Sequence, residues 1–366
     1  MYKIKDMIAA YKWDLHIYDE SHYTKNPDSK RTMALLGHES PSRRSYTLEA
    51  RCKLFLTGTP ILNRPVELWP MLRVIDPEGL GCNFWLFAKQ FCGGDDQPAG
   101  MREFSGASNL NILQDRLRSG VMVRRLKSEV MRELPPKRRQ IIPIPLPPGV
   151  EKVVQKELEF YTTNQDAIEK AVEQQATAQA AGDQASFVAA SKLLRGAKQA
   201  SFEELAELRH NTARAMIPFA VKYLEEALQQ QEKIVVFGWH EDVVTGIAAP
   251  FGNSAFVMHG GIPVPQRQAM VDRFDRDPAC KLAVGTIGTM GVGWTLVKSS
   301  YVIFFERSWV PSQLNQAEDR LHRIGQRDAV LVHHVCFDKS VDVNMLKKVI
   351  AKQEVIDKSL DIYSEG

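Results

Sequence analysis

Two adjacent carboxylates, Asp19 and Glu20, follow the apolar run WDLHIY at 13–18. Ligands of open α/β sheets collect at the carboxyl ends of strands, so acids placed there have a use. One carboxylate can hold a hydrated magnesium ion, which takes few protein ligands and keeps its waters. The other can orient or deprotonate an attacking water. A strand that simply ends in two solvated acids has the same sequence. A second group is LNQAEDRLHRIGQ at 314–326. On a helix, Gln316, Arg320 and Arg323 fall at i, i+4 and i+7, so one face carries an amide and two guanidiniums. Guanidinium stays charged and bonds oxyanions bidentately, which suits a polyphosphate. As a plain surface helix, the segment would balance its arginines with Glu318 and Asp319 and use Gly325 as a C-terminal cap. The third group is VGTIGTMGVGW at 284–294, a strand running into a loop with four glycines in nine residues. Backbone N–H groups of such a loop can approach a phosphate closely.

These groups need elements to hold them. The 366 residues are 44% hydrophobic and 25% charged, an ordinary globular balance that excludes wholesale disorder. The length suits two or three domains. No run of about 18 uncharged apolar residues occurs, so no membrane-spanning helix is expected. The N-terminus lacks the pattern of a secretory signal. Five cysteines without a CxxC argue against a disulfide framework or zinc ribbon and fit a reducing compartment. The net charge of +3 says little. However, 124–139, RRLKSEVMRELPPKRR, holds seven Lys/Arg against two Glu. Such a cluster is either a solvated face or a nucleic-acid contact.

The spacing predicts a helix over 2–11, then strands at 13–18 and 53–57, with a loop from Gly58 to Pro60. Residues 61–140 read as mostly helical, broken by a loop at 92–100. PIPLPPG, at 143–149, reads as a rigid extended connector. One or two long helices follow from Glu151, turning near Gly182. Strands are predicted at 233–237, 255–258, 281–286, 301–305 and 330–335. Helices at 240–249, 265–276 and 312–323 lie between them, and an amphipathic helix closes the chain at 341–360. This is an α/β chain whose second half is one doubly wound domain. No sustained heptad supports a structural coiled coil.

The combination is more specific than its parts. In order, the chain carries DESH (19–22), LTGTP (56–60), RRLKSEV with LPPK (124–137), IVVFGWH (234–240), MHGGIPVPQRQ (258–268), the glycine loop and QAEDRLHRIGQ (316–326). This resembles the SWI/SNF-type ATPases, the double-stranded-DNA translocases of helicase superfamily 2. Within them it is most similar to the annealing-helicase (HARP-like) branch, through TGTPILNRPVELW, FSGASNL, NTARAMIPFAVKYL and QAEDRLHRIGQ. The resemblance spans nearly the whole chain except 165–200. It implies two RecA-like lobes that close on ATP and Mg2+ and step along double-stranded or forked DNA without reading sequence. The lobes would be residues 1–140 with a helical protrusion and residues 216–366, separated by a connector and helical insertion over 141–215.

The resemblance also implies roles. Asp19 would coordinate magnesium through water and Glu20 would position the attacking water. His22 and the Thr57–Pro60 loop would couple nucleotide state to DNA. Arg320 and Arg323 would be arginine fingers directed at the Asp19–Glu20 strand end, with Gln316, Gly291 and Gly293 in the same cleft. Arg124, Arg125, Lys127, His240, His259 and Thr286 would touch DNA phosphates, contacts that position without specifying sequence. The family's GxxxxGK[ST] loop would precede DESH, yet DESH begins at residue 19 and no Gly-Lys pair occurs in the chain. The expectation is therefore an incomplete first lobe, its other half supplied in cis or trans, and little ATPase from these residues alone. A cytoplasmic or nuclear setting is expected. Another superfamily 2 DNA or RNA helicase, or a non-catalytic DNA- or protein-binding remnant, would share much of this pattern.

Overall fold

The computed structural model describes residues 5–40, 43–45, 48–58, 60–61, 64–93, 104, 106–125, 127–180, 184–343 and 346. They form two units, one within residues 1–126 and the other within 127–349.

The first unit runs α1 (Lys5–Ala9), β1 (Trp13–Tyr18), α2 (Lys30–Leu36), a short antiparallel hairpin β2 (His38–Ser40) and β3 (Arg43–Ser45), then β4 (Ala50–Phe55). Three helices follow: α3 (Trp69–Ile75), α4 (Phe84–Phe91) and α5 (Leu110–Gly120). Local chemistry starts these helices. Ser29 accepts the Thr32 N–H ahead of α2, and Asn83 accepts from Trp85 and Leu86 ahead of α4, the usual relief of orphan N–H groups. β1 and β4 pair in parallel, with Tyr18 opposite Phe55 and their rings stacked at 4.6 Å. Tyr18, Leu35, Leu36 and Leu48 form a small core beside this pair. A larger core lies among Ile61, Leu68, Leu72, Phe87, Phe91, Leu113 and Leu117 of the helical part. The loop expected at 92–100 lies outside the described residues beyond Gly93.

The second unit begins with α6 (Lys127–Val130), β5 (Lys137–Ile144) and two long helices, α7 (Glu151–Ala180) and α8 (Gln184–Ala227). Then come β6 (Ile234–Gly238), α9 (Glu241–Ala248), β7 (Ala255–Met258), α10 (Val264–Arg276), β8 (Leu282–Thr286) and α11 (Ile287–Met290). β9 (Tyr301–Phe304), α12 (Pro311–Glu318) and β10 (Val330–Phe337) complete it. The strands make one parallel sheet in the order β5-β10-β9-β6-β8-β7. Continuous apolar strands such as IVVFG and LAVGT need cover on both faces, and alternate residues divide accordingly. Ile234, Val236, Val284 and Ile303 pack under α8 and α9, while Val235, Phe237, Val302 and Phe304 pack under α10 and α12. The α/β class with parallel sheets is as expected.

Two elements differ from the sequence-based reading. The stretch around 137–144 is the sixth strand of the sheet, not a helix end followed by a connector. The domain boundary expected at 140 therefore falls inside β5, which pairs with β10 over its whole length. Pro143 is compatible with this place because β5 is an edge strand, where one side makes no ladder bonds. The other difference is α12, which stops at Glu318 instead of continuing to Arg323. Of the C-terminal helix expected at 341–360, Val341–Val343 is helical, and most of the rest lies outside the described residues.

The α7–α8 contact carries a buried acid. Glu157 is 2% exposed, and the Thr212 hydroxyl donates to it. Burial, reinforced by nearby Asp342, pushes its carboxyl up to about 7 against Thr212 and Arg209. The native state thus binds this proton more tightly than the unfolded chain. Stability from this group is full below about pH 4.5 and is lost as pH rises toward 7. Glu157→Gln keeps an acceptor for Thr212 and removes the charge. At pH 8 it is expected to raise unfolding free energy by up to about 3 kcal/mol, and at pH 4 by nearly nothing. Urea melts of both proteins at the two pH values check this. A variant less stable than the parent at pH 8 would refute it.

Candidate functional site

In the first unit, the end of β1 turns sharply. Glu20 stands at φ 49°, ψ 46°, a left-handed conformation uncommon for a residue with a side chain. Its N–H donates to Asp19 Oδ1 at 2.9 Å. The chain then enters a single 3-10 turn, Ser21–Thr24. Backbone bonds tie this turn to the end of β4, since Leu56 N–H donates to Tyr18 O and Ser21 N–H to Leu56 O, both at 2.9 Å. That placement brings His22 to Thr57. Their side chains hydrogen-bond at 3.0 Å, and His22 Nδ1 also lies 3.2 Å from Glu20 Oε2. His22 is buried. Burial lowers its basicity below the usual imidazole value, although Glu20 pulls the other way. The DESH turn and the LTGTP segment therefore meet through His22 and Thr57. Asp19 remains exposed at the strand end, a hard oxygen donor of the kind magnesium takes.

In the second unit, the glycine loop and QAEDRLHRIGQ come together. Leu296 N–H donates to Arg320 O at 2.8 Å. Arg320 is buried, with its Nε donating to Gln316 O at 3.2 Å and Nη1 to Trp294 O at 3.4 Å. Arg323 is half-buried and reaches Thr295 Oγ1 at 3.5 Å. Gly291 has a steric reason to be glycine, because a Cβ there would meet Ile287 O at 2.3 Å and Ala317 Cβ at 3.2 Å. Gly293 sits at φ +84°, where glycine carries no penalty. So Gln316, Arg320, Arg323, Gly291 and Gly293 share one neighbourhood, although the two arginines project from turns after α12 and not from one helical face. Glu318 and Asp319 do not balance them in the way a plain surface helix would. They hold Lys137, Arg139 and Lys127 instead.

The expected DNA contacts divide. His240 and His259 follow β6 and β7, Thr286 is the last residue of β8, and these three adjacent strands are parallel, so the three residues lie at the same end of the sheet. Glu306, 4% exposed, accepts from the N–H groups of Trp239 and His240 at 2.8 and 3.0 Å and bonds His240 Nδ1 at 2.5 Å. His259 Nδ1 contacts Glu241. Thr286 is 9% exposed and precedes α11. The basic run is less available than its charge count implies. Lys127 pairs with Asp319 at 2.6 Å and donates to His322 O. Arg124 and Arg125 stand at the end of the first unit, with Arg125 exposed. Sequence reasoning missed Glu306 and its place as anchor of the loop after β6. The available signal was an acid directly after the apolar strand YVIFF. Among the described residues no cluster of His, Cys, Asp and Glu could hold a metal by itself, and no helix is long and apolar enough to cross a membrane.

Residues 1–202 match the SNF2-related domain and residues 219–325 the helicase conserved C-terminal domain. The chain is 30% identical over 368 residues to the mouse DNA annealing helicase and endonuclease ZRANB3, covering 97% of this chain and 31% of that protein. The human protein of the same name gives 30% identity over 97% of this chain and 30% of its own length. The SWI/SNF-related matrix-associated actin-dependent regulator of chromatin subfamily A-like protein 1 of Xenopus tropicalis is 29% identical, with 97% and 34% covered. The chain thus spans about a third of the length of these relatives. Among solved structures, the Sulfolobus solfataricus SWI2/SNF2 ATPase core in complex with dsDNA matches at 19% identity and a TM-score of 0.39, covering 99% of this chain and 76% of that one. With its SNF2-related domain covering more than half of its residues and a helicase C-terminal domain behind it, this chain belongs to the SNF2 family.

Proposed function

We propose that the chain is part of an ATP-dependent double-stranded-DNA translocase of the annealing-helicase kind, working in the cytoplasm or nucleus. The observation that carries this reading is the joining, within the second unit, of Gly291, Gly293, Gln316, Arg320 and Arg323. Two guanidiniums beside a glycine loop suit the phosphates of a nucleotide. Asp19 fits a magnesium site as an exposed carboxylate that would hold the ion through water, and Glu20 beside it would orient the attacking water. Bound magnesium would supply charge neutralisation on the phosphates. His22, bonded to Thr57, would carry nucleotide state to the LTGTP loop. His240, His259 and Thr286 would touch DNA phosphates, with Arg124 and Arg125 adding positive charge and Lys127 less, given its pairing with Asp319.

The first lobe would be completed by other sequence, in cis or trans. In support, Trp13, Leu15 and Ile17 of β1 and Leu54 and Leu56 at β4 are each 42–58% exposed, whereas parallel sheets bury both faces. The 366 residues hold no Gly-Lys pair, so little DNA-stimulated ATPase is expected from them alone.

The test is a pair of measurements. Duplex DNA binding should be sequence-independent and fall steeply between about 50 and 200 mM salt, because phosphate contacts release counterions. Magnesium-dependent ATP turnover should appear once a phosphate-loop-bearing first-lobe segment is joined or added, and Glu20→Gln should abolish it. Salt-independent binding, strong preference for one sequence, or full turnover by the isolated chain would each contradict the reading.

A further inference from the structure

His210 of α8 and His240 after β6 stack face to face. Their ring centroids are 3.8 Å apart and their planes differ by 7°. Each ring is held by a carboxylate. His210 Nε2 bonds Asp242 Oδ1 at 2.7 Å, and His240 Nδ1 bonds Glu306 Oε1 at 2.5 Å. Arg214, one turn along α8 from His210, donates its Nε to Asp242 Oδ2 at 2.7 Å. The remaining charged groups around the pair have their own partners. Glu241 of α9 contacts His259. Arg209 of α8 bonds Arg307 O and Asp342. Glu157 of α7 accepts from Thr212 and shares a small cavity with Arg209 and Glu306.

An imidazolium lying over a neutral imidazole is attracted as a cation to a ring face, and a carboxylate waits for it on either side. Two imidazoliums at this spacing would repel, and negative charge arriving beside them would offset that repulsion. Imidazole is the side chain that makes such a change near neutral pH. His240 is also the member of the pair at the strand ends where DNA phosphates are proposed to lie, while His210 belongs to the long helix behind it.

We propose that the His210–His240 stack is a proton-binding site that makes DNA binding proton-linked, the arriving phosphates drawing in the second proton. The inference rests on the proposed DNA contact at His240 and adds its regulation. The stack would also tie the strand-end loop to α8, so a change in its charge reaches the helical pair.

The experiment is titration calorimetry of the full 366-residue chain with a short blunt duplex of mixed sequence, in buffers of different ionisation enthalpy at low salt. Uptake of up to about one proton per bound duplex is expected, with affinity weakening by up to about tenfold per pH unit between about pH 6 and 8. His210→Phe keeps a stacked ring and cannot titrate. It should bind the duplex at pH 8 as the parent does, with the proton uptake gone and the pH slope flattened. His210→Asn, and the parent measured alone in two buffers, keep the test standing if the phenylalanine variant folds poorly. Binding without proton uptake, or equal uptake by parent and His210→Phe, overturns this inference and leaves the DNA reading intact. Failure of the parent to bind duplex even at pH 6 overturns both.

Discussion

Glu318→Ala is expected to cost the second unit about 3–5 kcal/mol, the scale for breaking a buried ion pair by removing one partner. The side chain of Glu318 is 1% exposed. It receives Lys137 Nζ at 2.8 Å and Arg139 through Nε at 2.9 Å and Nη2 at 2.6 Å. Burial alone would raise its carboxyl, but Lys137 and Arg139 outweigh burial and hold it below the ordinary value. A lowered carboxyl stabilises the fold above the unfolded value, near pH 4.5, and that contribution is lost as pH falls through the folded value. The parent should therefore be acid-sensitive in a way the alanine variant is not. The lost pair also has a definite address. Lys137 and Arg139 lie on β5, the edge strand, so β5 is expected to lose hydrogen-exchange protection before the central strands β6 and β9 do. Because Lys137 is itself only 16% exposed, much of the cost is a stranded cation. Lys137→Met combined with Glu318→Leu should then be less damaging than the sum of the single changes. Urea melts of the parent, Glu318→Ala, Lys137→Met, Glu318→Leu and the double variant measure this. A loss under about 1 kcal/mol for Glu318→Ala, typical of a surface pair, would show that Glu318 is not the clasp of β5.

The same clasp explains where the sequence was legible and where it was not. β6, β8 and β9 announce themselves as continuous apolar runs, since every residue must be acceptable to one of two covered faces. β5 has the opposite signature, KRRQIIPI, with basic residues and a proline. Its strand identity comes from β10 beside it and from acids 179 and more residues away, which no local window contains. The end of α12 has a similar cause. The residues after Glu318 have fair helix propensity, but Leu296 N–H bonds the Arg320 carbonyl and Lys137 draws Asp319 toward β5. Such bonds override propensity. His22 and the Thr57–Pro60 loop were linked only through the role the family resemblance implies, and their hydrogen bond comes from the pairing of β1 with β4. The stacking of His210 on His240 was not, because it depends on how α8 lies over the sheet.

Removing Arg323 is expected to be the most damaging change to chemistry. With the phosphate-loop-bearing part of the first lobe present, Arg323→Ala should lower ATP turnover by about 10³-fold or more, the scale of an arginine that stabilises charge on a transferring phosphoryl group. Duplex affinity should stay nearly as it was. Arg323 is a cleaner probe than Arg320. The Arg320 guanidinium is buried against the Gln316 and Trp294 carbonyls, so its loss would loosen the glycine loop as well as any bound phosphate. Among the described residues, the Arg323 guanidinium bonds Thr295 Oγ1 at 3.5 Å, a long contact whose loss should leave the melting temperature close to the parent's. Lysine is a poor substitute for a planar, bidentate donor. Arg323→Lys should thus restore charge but recover little turnover, which separates a positioned guanidinium from general positive potential. The KM for ATP should change less than kcat, because the interaction strengthens as the phosphate moves. The competing outcome has a distinct signature. If Arg323→Ala loses duplex binding, more so at high salt, and keeps its turnover per bound complex, then Arg323 is a DNA-phosphate contact, and the segment after α12 belongs to the track instead of the nucleotide.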